Sequence, residues 1–383
     1  MSNKILFARL LLVLSFFPYF YDVLSPVHND TAMYAFIVAL FIISVMMTSK
    51  LDFSVYLTFL PAIFITTLVL INQNFSNDVL RSLFGYLSIS VIALASYKIL
   101  DQRTLKEKHI NFAVNIWLTV GLVQILWRRD FLVFLINRSS TSLDRGVTSL
   151  AVEPTYFATV IIFILMVAYL TSSLSRRVIF KCIICILVLA SSATGLGLLI
   201  IGAILHELNH SSKKSFLLLG LLSIFTYALI TYSDMRIGVL MRLFISDPIS
   251  ILTDESANAR INSFIYPIVL SMQNYFIPYG IGNYRSNVIA DISFLSEHAS
   301  PYFYWILTNK IMSGFGQMIY ELGFICLVYV YAMYRVAKRN LNSVREASLF
   351  TIFFFIVLST AVPLAFPLVG VMYGVRTKTN TKY

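Results

Sequence analysis

The sequence predicts an all-α protein: a polytopic membrane bundle of about twelve helices (11–13), with one folded loop region outside the bilayer. Three observations carry that expectation. Of the 383 residues, 58% are hydrophobic and only 12% charged, a composition unlike that of a soluble domain, so lipid is the solvent for most of the chain. Apolar runs of bilayer length recur from end to end. The basic residues between those runs are sorted by type as well as by number. Ten of the 29 Lys and Arg residues fall on one predicted side, and nine of the ten are Arg (Arg81, Arg128, Arg129, Arg138, Arg145, Arg236, Arg242, Arg260 and Arg285), the tenth being Lys310. The other side holds 19, of which 11 are Lys. Retention on one side of a bilayer needs only positive charge, which Lys and Arg supply alike. A nearly pure Arg population on the opposite side points to forked hydrogen bonding with phosphate or carboxylate.

Taken in order, the runs 5–24, 32–48, 53–72, 82–100, 110–127, 156–173, 216–232 and 311–334 are each long enough to cross. The first begins with a basic residue like a signal peptide. Its apolar run is too long for one and no small-residue cleavage site follows, so it reads as an uncleaved span. Residues 178–209 and 347–375 are longer stretches with basic residues at both ends, broken at Ser191-Ser192-Ala193-Thr194-Gly195 and at Ser359-Thr360 with Pro363 and Pro367 beyond. A single crossing would strand one basic flank on the wrong side. Two tight hairpins keep every Lys-rich loop together, with both termini cytoplasmic. The chain is then one membrane domain over 1–383, with a shorter outer loop at 128–155 and a larger one at 233–310 that folds as a lid over the outer cavity. Within the lid, Asp254 is placed to cap a helix through Ile261 to Ser271, and Arg236 to Phe244 reads as a short helix lying in the headgroup layer.

The net charge of +11 is dispersed through short connections, which excludes a nucleic-acid partner and fits contact with membrane lipids. Cys182, Cys185 and Cys326 lie inside apolar runs and read as filler. No paired-acid motif, His-x-x-His, Walker loop, nucleophile elbow or dinucleotide fingerprint is present, so no metal and no cofactor are expected.

Several residues carry possible chemistry. Glu153-Pro154 stands where a span begins, a place where an acid either favours the helix dipole or serves as a carboxylate base at a cavity rim. Arg145 precedes it by a short polar stretch. Arg236, Arg242, Arg260 and Arg285 lie in the lid among about as many acids, so surface pairing and anion binding both fit them. Gly280-Ile281-Gly282-Asn283-Tyr284-Arg285 supplies a turn whose backbone can approach a ligand. His298 can move a proton near neutrality. Glu321 lies deep in a span, where an acid costs roughly 3 kcal/mol to insert, so it faces the interior as a structural or a catalytic partner. Tyr302-Phe303-Tyr304-Trp305 reads as interfacial aromatic belt rather than a sugar-stacking platform.

Arg145-Gly146 through Glu153-Pro154-Thr155-Tyr156-Phe157-Ala158 resembles the Arg…Gly…Glu-Pro-Ser-x-x-Ala segment of bacterial O-antigen and capsule polymerases of the Wzy type, which are related to O-antigen ligases. Ser191-Ser192-Ala193-Thr194-Gly195 resembles that family's hairpin turn, with Ala193 where an Arg is usual. Gly280-Ile281-Gly282 and Tyr320-Glu321-Leu322-Gly323 are similar to its large-loop and following-span motifs. The resemblance covers about 110 to 335; the first hundred residues match only in being spans.

The resemblance implies a glycosyltransferase of the bacterial inner membrane, with its active site facing the periplasm. It would transfer an undecaprenyl-diphosphate-linked glycan to the non-reducing end of a lipid-linked repeat unit, with a chain-length regulator as a further partner. Arg260 and Arg285, supported by Arg145, Arg236 and Arg242, are then expected at the diphosphate. Glu153 or His298 is the expected base, with Tyr284 and Glu321 in supporting positions. A ligase that delivers the finished glycan to lipid A–core is the nearest alternative. A lipid-linked oligosaccharide flippase fits less well, because a 78-residue outer segment and few intramembrane charges are unlike a transporter.

Overall fold

The structure, a computed structural model, describes residues 2–20, 33–46, 52–72, 75–101, 104–136, 145–210, 236–284, 287–288 and 311–376, together with positions 220, 227 and 231. The expected span 216–232, Arg138, Arg285, His298, Lys310 and the run Tyr302–Trp305 lie outside the described residues, apart from those single positions. Every regular element among the described residues is helical. Four helical stretches among them are long and apolar enough to cross a membrane: Phe53–Ile71, Asn77–Ile99, Glu107–Leu126 and Gly314–Asn340.

The helices follow from apolar composition closed by local stop signals. α1 (Ser2–Phe16) ends well short of the expected residue 24, because Pro18 lacks an N–H and disfavours helical geometry in the residue before it. α2 (Tyr34–Val45) and α3 (Phe53–Asn72) follow. α4 (Asn77–Ile99) is capped by Ser76, whose hydroxyl accepts from the Val79 amide at 3.4 Å, and it carries Asp78 in its first turn and Lys98 in its last. Both charges suit the helix dipole. α5 (Glu107–Leu126) leads into the Arg-bearing loop, and α6 (Pro154–Leu170) starts with proline at its first position.

The first long stretch turns back on itself. α7 (Arg176–Ile184) continues as a π-helix (Cys185–Ala190), and Ser191 then takes a left-handed conformation (φ 43°) before α8 (Ala193–His210). A cavity of about 230 Å³ has Ile179 of α7, Asn209 of α8 and Glu346 in one lining, so α8 ends beside the start of α7. At the other end of this hairpin, Gly195 lies against Ala158 near the start of α6.

α9 (Arg236–Ser246), a 3-10 segment (Pro248–Thr253) and α10 (Glu255–Gln273) form the described part of the large loop. α11 (Gly314–Leu322) passes through a 3-10 turn at Gly323–Cys326 into α12 (Leu327–Asn340). α13 (Val344–Ser359) and the short α14 (Pro367–Gly374) form the second hairpin. Val375, just past α14, accepts from Arg339 Nη2 at 2.8 Å and Asn340 Nδ2 at 3.1 Å, which returns the chain to the end where α12 stops. α14 reaches α4 at backbone distance. A Cβ at Gly370 would stand 2.7 Å from the Ile92 Cβ, and one at Gly374 would stand 2.1 Å from the Ala93 carbonyl oxygen. Small residues permit such approach where lipid supplies no hydrophobic drive between helices.

Polar contacts gather one set of helix ends. Lys4 pairs with Asp101 at 2.9 Å, Lys98 donates to the Met46 carbonyl at 2.7 Å, and Lys181 donates to Asn111 and Asn115 at 2.8 and 2.7 Å. Arg145, Glu153 and Arg260 lie at the opposite end. Among the described residues, Lys4, Lys98 and Lys181 thus stand at one set of helix ends and Arg145 and Arg260 at the other.

Candidate functional site

The segment 145–153 does not stand out from the bundle as a simple outer loop would; it folds into the end of it. Gln124, the last polar residue of α5, accounts for this. Its Nε2 donates to the carbonyls of Phe131 and Ser149, both at 2.9 Å, and its Oε1 accepts from the Ser149 amide at 2.7 Å. Ser149 is wholly buried in a left-handed conformation (φ 50°), with its hydroxyl on the Trp117 carbonyl at 2.8 Å. The Val147 amide donates to the Leu189 carbonyl at 2.8 Å, so the π-helix that precedes the hairpin turn takes the loop as its neighbour.

Gly146 fits this junction because it has no side chain: a Cβ there would lie 2.0 Å from the Ala190 carbonyl oxygen. Gly146→Ala is expected to lower the thermal midpoint and the yield of monodisperse protein in detergent, by an overpacking cost of roughly 1–3 kcal/mol or more. An unchanged midpoint in a melting assay would show that the loop is seated elsewhere.

This seating delivers Glu153 to the start of α6, where it is the N-cap residue. Its side chain makes no capping bond and is engaged instead by Arg260, whose Nη2 donates to Oε2 at 2.8 Å. The two residues are 107 positions apart in sequence. Their side chains are 20% and 24% exposed, enough for solvent or a ligand to reach the pair.

Arg260 owes its place to α10. Asp254 caps that helix by accepting from the Ala257 amide at 2.9 Å, and Asn258 Nδ2 ties it to the Leu252 carbonyl at 2.8 Å. The helix seats on α11, where a Cβ at Gly316 would be 2.7 Å from the Ser263 carbonyl oxygen. Ser271 adds a bond to the Ile319 carbonyl at 3.3 Å.

A crevice of about 330 Å³ opens at the pair. Arg145 and Arg260 both line it, with Thr155 of α6 and Ser191, Ser192 and Thr194 of the hairpin turn. The Ser192 hydroxyl donates to Thr155 Oγ1 at 3.3 Å, joining the turn to α6. Leu240, Met241 and Phe244 of α9 supply an apolar wall. Asp254 is the carboxylate in the lining, and Glu153 meets Arg260 without standing in the lining itself. Two guanidinium groups and several hydroxyls can bind a multiply charged phosphate ester, with the Glu153 carboxylate next to Arg260 to accept a proton.

The remaining candidates fall elsewhere or outside the described residues. Arg242 lies on α9 but is not among the lining residues, and of Arg236 only the backbone is described. Gly280 and Gly282 do adopt left-handed φ values of 78° and 79°, but the turn is packed against protein: a Cβ at Gly282 would stand 2.4 Å from Val79. The Gly282 side of the turn is therefore filled by protein, while Gly280 meets only Asn283 Nδ2 at 4.0 Å. Tyr284 belongs to an aromatic cluster with Tyr320 (5.2 Å, edge-on) and Tyr279 (4.7 Å from Tyr320, stacked), and burial pushes its phenol pKa up. Glu321 faces the interior as expected, accepting from Ser82 at 2.7 Å and from Gln317 at 3.1 and 3.2 Å. Those bonds join α11 to α4, and Glu321 takes no part in lining the crevice.

Sequence reasoning did not single out Gln124 or Thr155. The signal for Gln124 is an amide near the end of a span whose other amides, Asn111 and Asn115, lie toward its start. Among the described residues, no group of three or more His, Cys, Asp or Glu is placed to hold a metal ion. Fold and site together define a protein that is all-helical among its described residues, with four apolar helices long enough to cross a membrane and a crevice lined by two arginines. No family model matches the sequence, and neither a curated protein nor a solved structure is found to match it.

Proposed function

We propose that the chain is a polysaccharide polymerase of the Wzy type, a glycosyltransferase of the bacterial inner membrane with this crevice facing the periplasm. In this reading the bundle has twelve spans: α1 to α8, α11 and α12 as a single crossing, α13, α14 and the segment 216–232. The observation that carries the reading is the Glu153–Arg260 contact at 2.8 Å, which joins Glu153 to a crevice lined by Arg260 and Arg145.

The reaction follows from those groups. The diphosphate of the undecaprenyl-linked donor seats between Arg145 and Arg260, with Ser192 and Thr194 as further donors. Its oxygens compete with Glu153 for the Arg260 fork and release the carboxylate. The terminal hydroxyl of the acceptor repeat attacks the anomeric carbon, and Glu153 takes its proton. The bond from anomeric carbon to diphosphate oxygen breaks with its electron pair, and the guanidinium groups stabilise the charge that grows there. Arg285 and His298 remain candidates for the same work.

A deletion strain tests this directly. Lipopolysaccharide carrying single-repeat caps is the expected result. Uncapped core would identify a ligase instead, and unchanged glycan would remove the proposal.

A further inference from the structure

We propose that Arg339 and Arg376 form a second phosphate-binding site, at the Lys-rich end of the bundle and remote from the crevice. It takes either the headgroup of an anionic membrane lipid or a free phosphate anion.

Both guanidinium groups lie over one ring, that of Tyr97 at the end of α4, at 5.4 Å for Arg339 and 4.9 Å for Arg376. Two like charges held this close repel unless something compensates them. The described compensation is small. Asp52 Oδ2 lies 3.3 Å from Arg339 Nη1 while its Oδ1 accepts from the Ser54 amide and hydroxyl at 2.8 and 2.6 Å, so one carboxylate stands against two guanidinium charges. Arg339 Nη2 donates to the Val375 carbonyl at 2.8 Å.

Among the described residues, Arg339 Nε, Arg339 Nη1 and Arg376 Nε are shielded from solvent and make no hydrogen bond. An ion-pair distance to Asp52 without hydrogen-bond geometry does not satisfy Nη1. Stacking on tyrosine offsets charge through the ring face, but it provides no acceptor for N–H groups in the guanidinium plane. Donors left unmade in a poorly solvated place are costly. A tetrahedral phosphate supplies in-plane acceptors to both residues and the negative charge the cluster lacks. A carboxylate supplies fewer oxygens, and a neutral headgroup leaves the charge in place. Lys98 of α4, which donates to Met46, adds to the positive field.

The test uses the full chain, purified and placed in nanodiscs of phosphatidylcholine alone or with phosphatidylglycerol, or in detergent with inorganic phosphate. Lipid retention by native mass spectrometry and the thermal midpoint are read for wild type, Arg376→Ala and Lys338→Ala. Expected is selective retention of phosphatidylglycerol, at least tenfold weaker in Arg376→Ala and unchanged in Lys338→Ala. Phosphate binding with the same Arg376 dependence, without lipid retention, assigns the site to a soluble anion. Arg376→Lys, which keeps charge and loses the fork, checks any variant that folds poorly and is expected to bind weakly too. Equal binding by wild type, Arg376→Ala and Arg376→Lys with both probes overturns the proposal.

Discussion

Arg260→Lys is expected to reduce polymer formation by roughly 100-fold, the scale on which one preorganised donor to a growing charge is worth, while the protein remains in the membrane at wild-type level. Lysine keeps the charge, so a role in retention or surface pairing would survive the change. What lysine loses is the planar fork that can hold Glu153 through one arm and be recaptured by phosphate oxygens. Arg260 reaches Glu153 through Nη2 at 2.8 Å, and an ammonium on a flexible stem cannot reproduce that geometry at the same backbone position. Arg242→Lys is the matched comparison. It makes the same chemical change in the same loop, on a residue that does not line the crevice, and near-normal glycan length is expected. Full activity in Arg260→Lys, scored as the ladder of repeat lengths and normalised to protein, would sink the assignment of diphosphate binding to this residue.

The contrast between those two arginines marks the reach of the sequence. Hydropathy located the helices, since span length is set by bilayer thickness and written in consecutive residues. For the described residues, charge type also distinguished the helix ends, with Lys98 and Lys181 at one and Arg145 and Arg260 at the other. Local rules also served: Asp254 does cap α10, and a serine- and alanine-rich break does turn the 178–209 stretch. The rest was decided by contacts between distant segments. Nothing near Glu153 specifies that Arg260 rather than Arg242 will meet it, because both stand on amphipathic helices and the choice depends on how α10 seats on α11. The glycines at 280 and 282 were correctly placed in a turn, but the packing of Gly282 depended on a neighbour, Val79, some 200 residues away. The inward fold of 145–153 depended on one amide, Gln124, whose three bonds no periodicity encodes.

Glu153→Gln should cost activity by roughly 10²–10⁴-fold, the usual range for loss of a positioned general base, with little change in thermal midpoint. The two readouts separate the competing roles of this residue. If Glu153 mattered as a negative charge at the start of α6, stability would fall, and activity only in proportion. The structure argues against that role. The side chain makes no capping bond and α6 already opens with Pro154, so the helix start does not depend on the carboxylate for hydrogen bonding. Glutamine preserves shape and can still accept from Arg260 through its amide oxygen, so the loop is expected to keep its seat. It cannot take a proton from the acceptor hydroxyl. Combining Glu153→Gln with Arg260→Lys sharpens the test. Groups that act as one unit lose most of their function when either is removed, so the double variant should be scarcely worse than the weaker single variant. Losses that multiply would mean the two residues work independently, and the ion pair would then be a structural tether between α6 and α10 rather than a resting state of the catalytic apparatus.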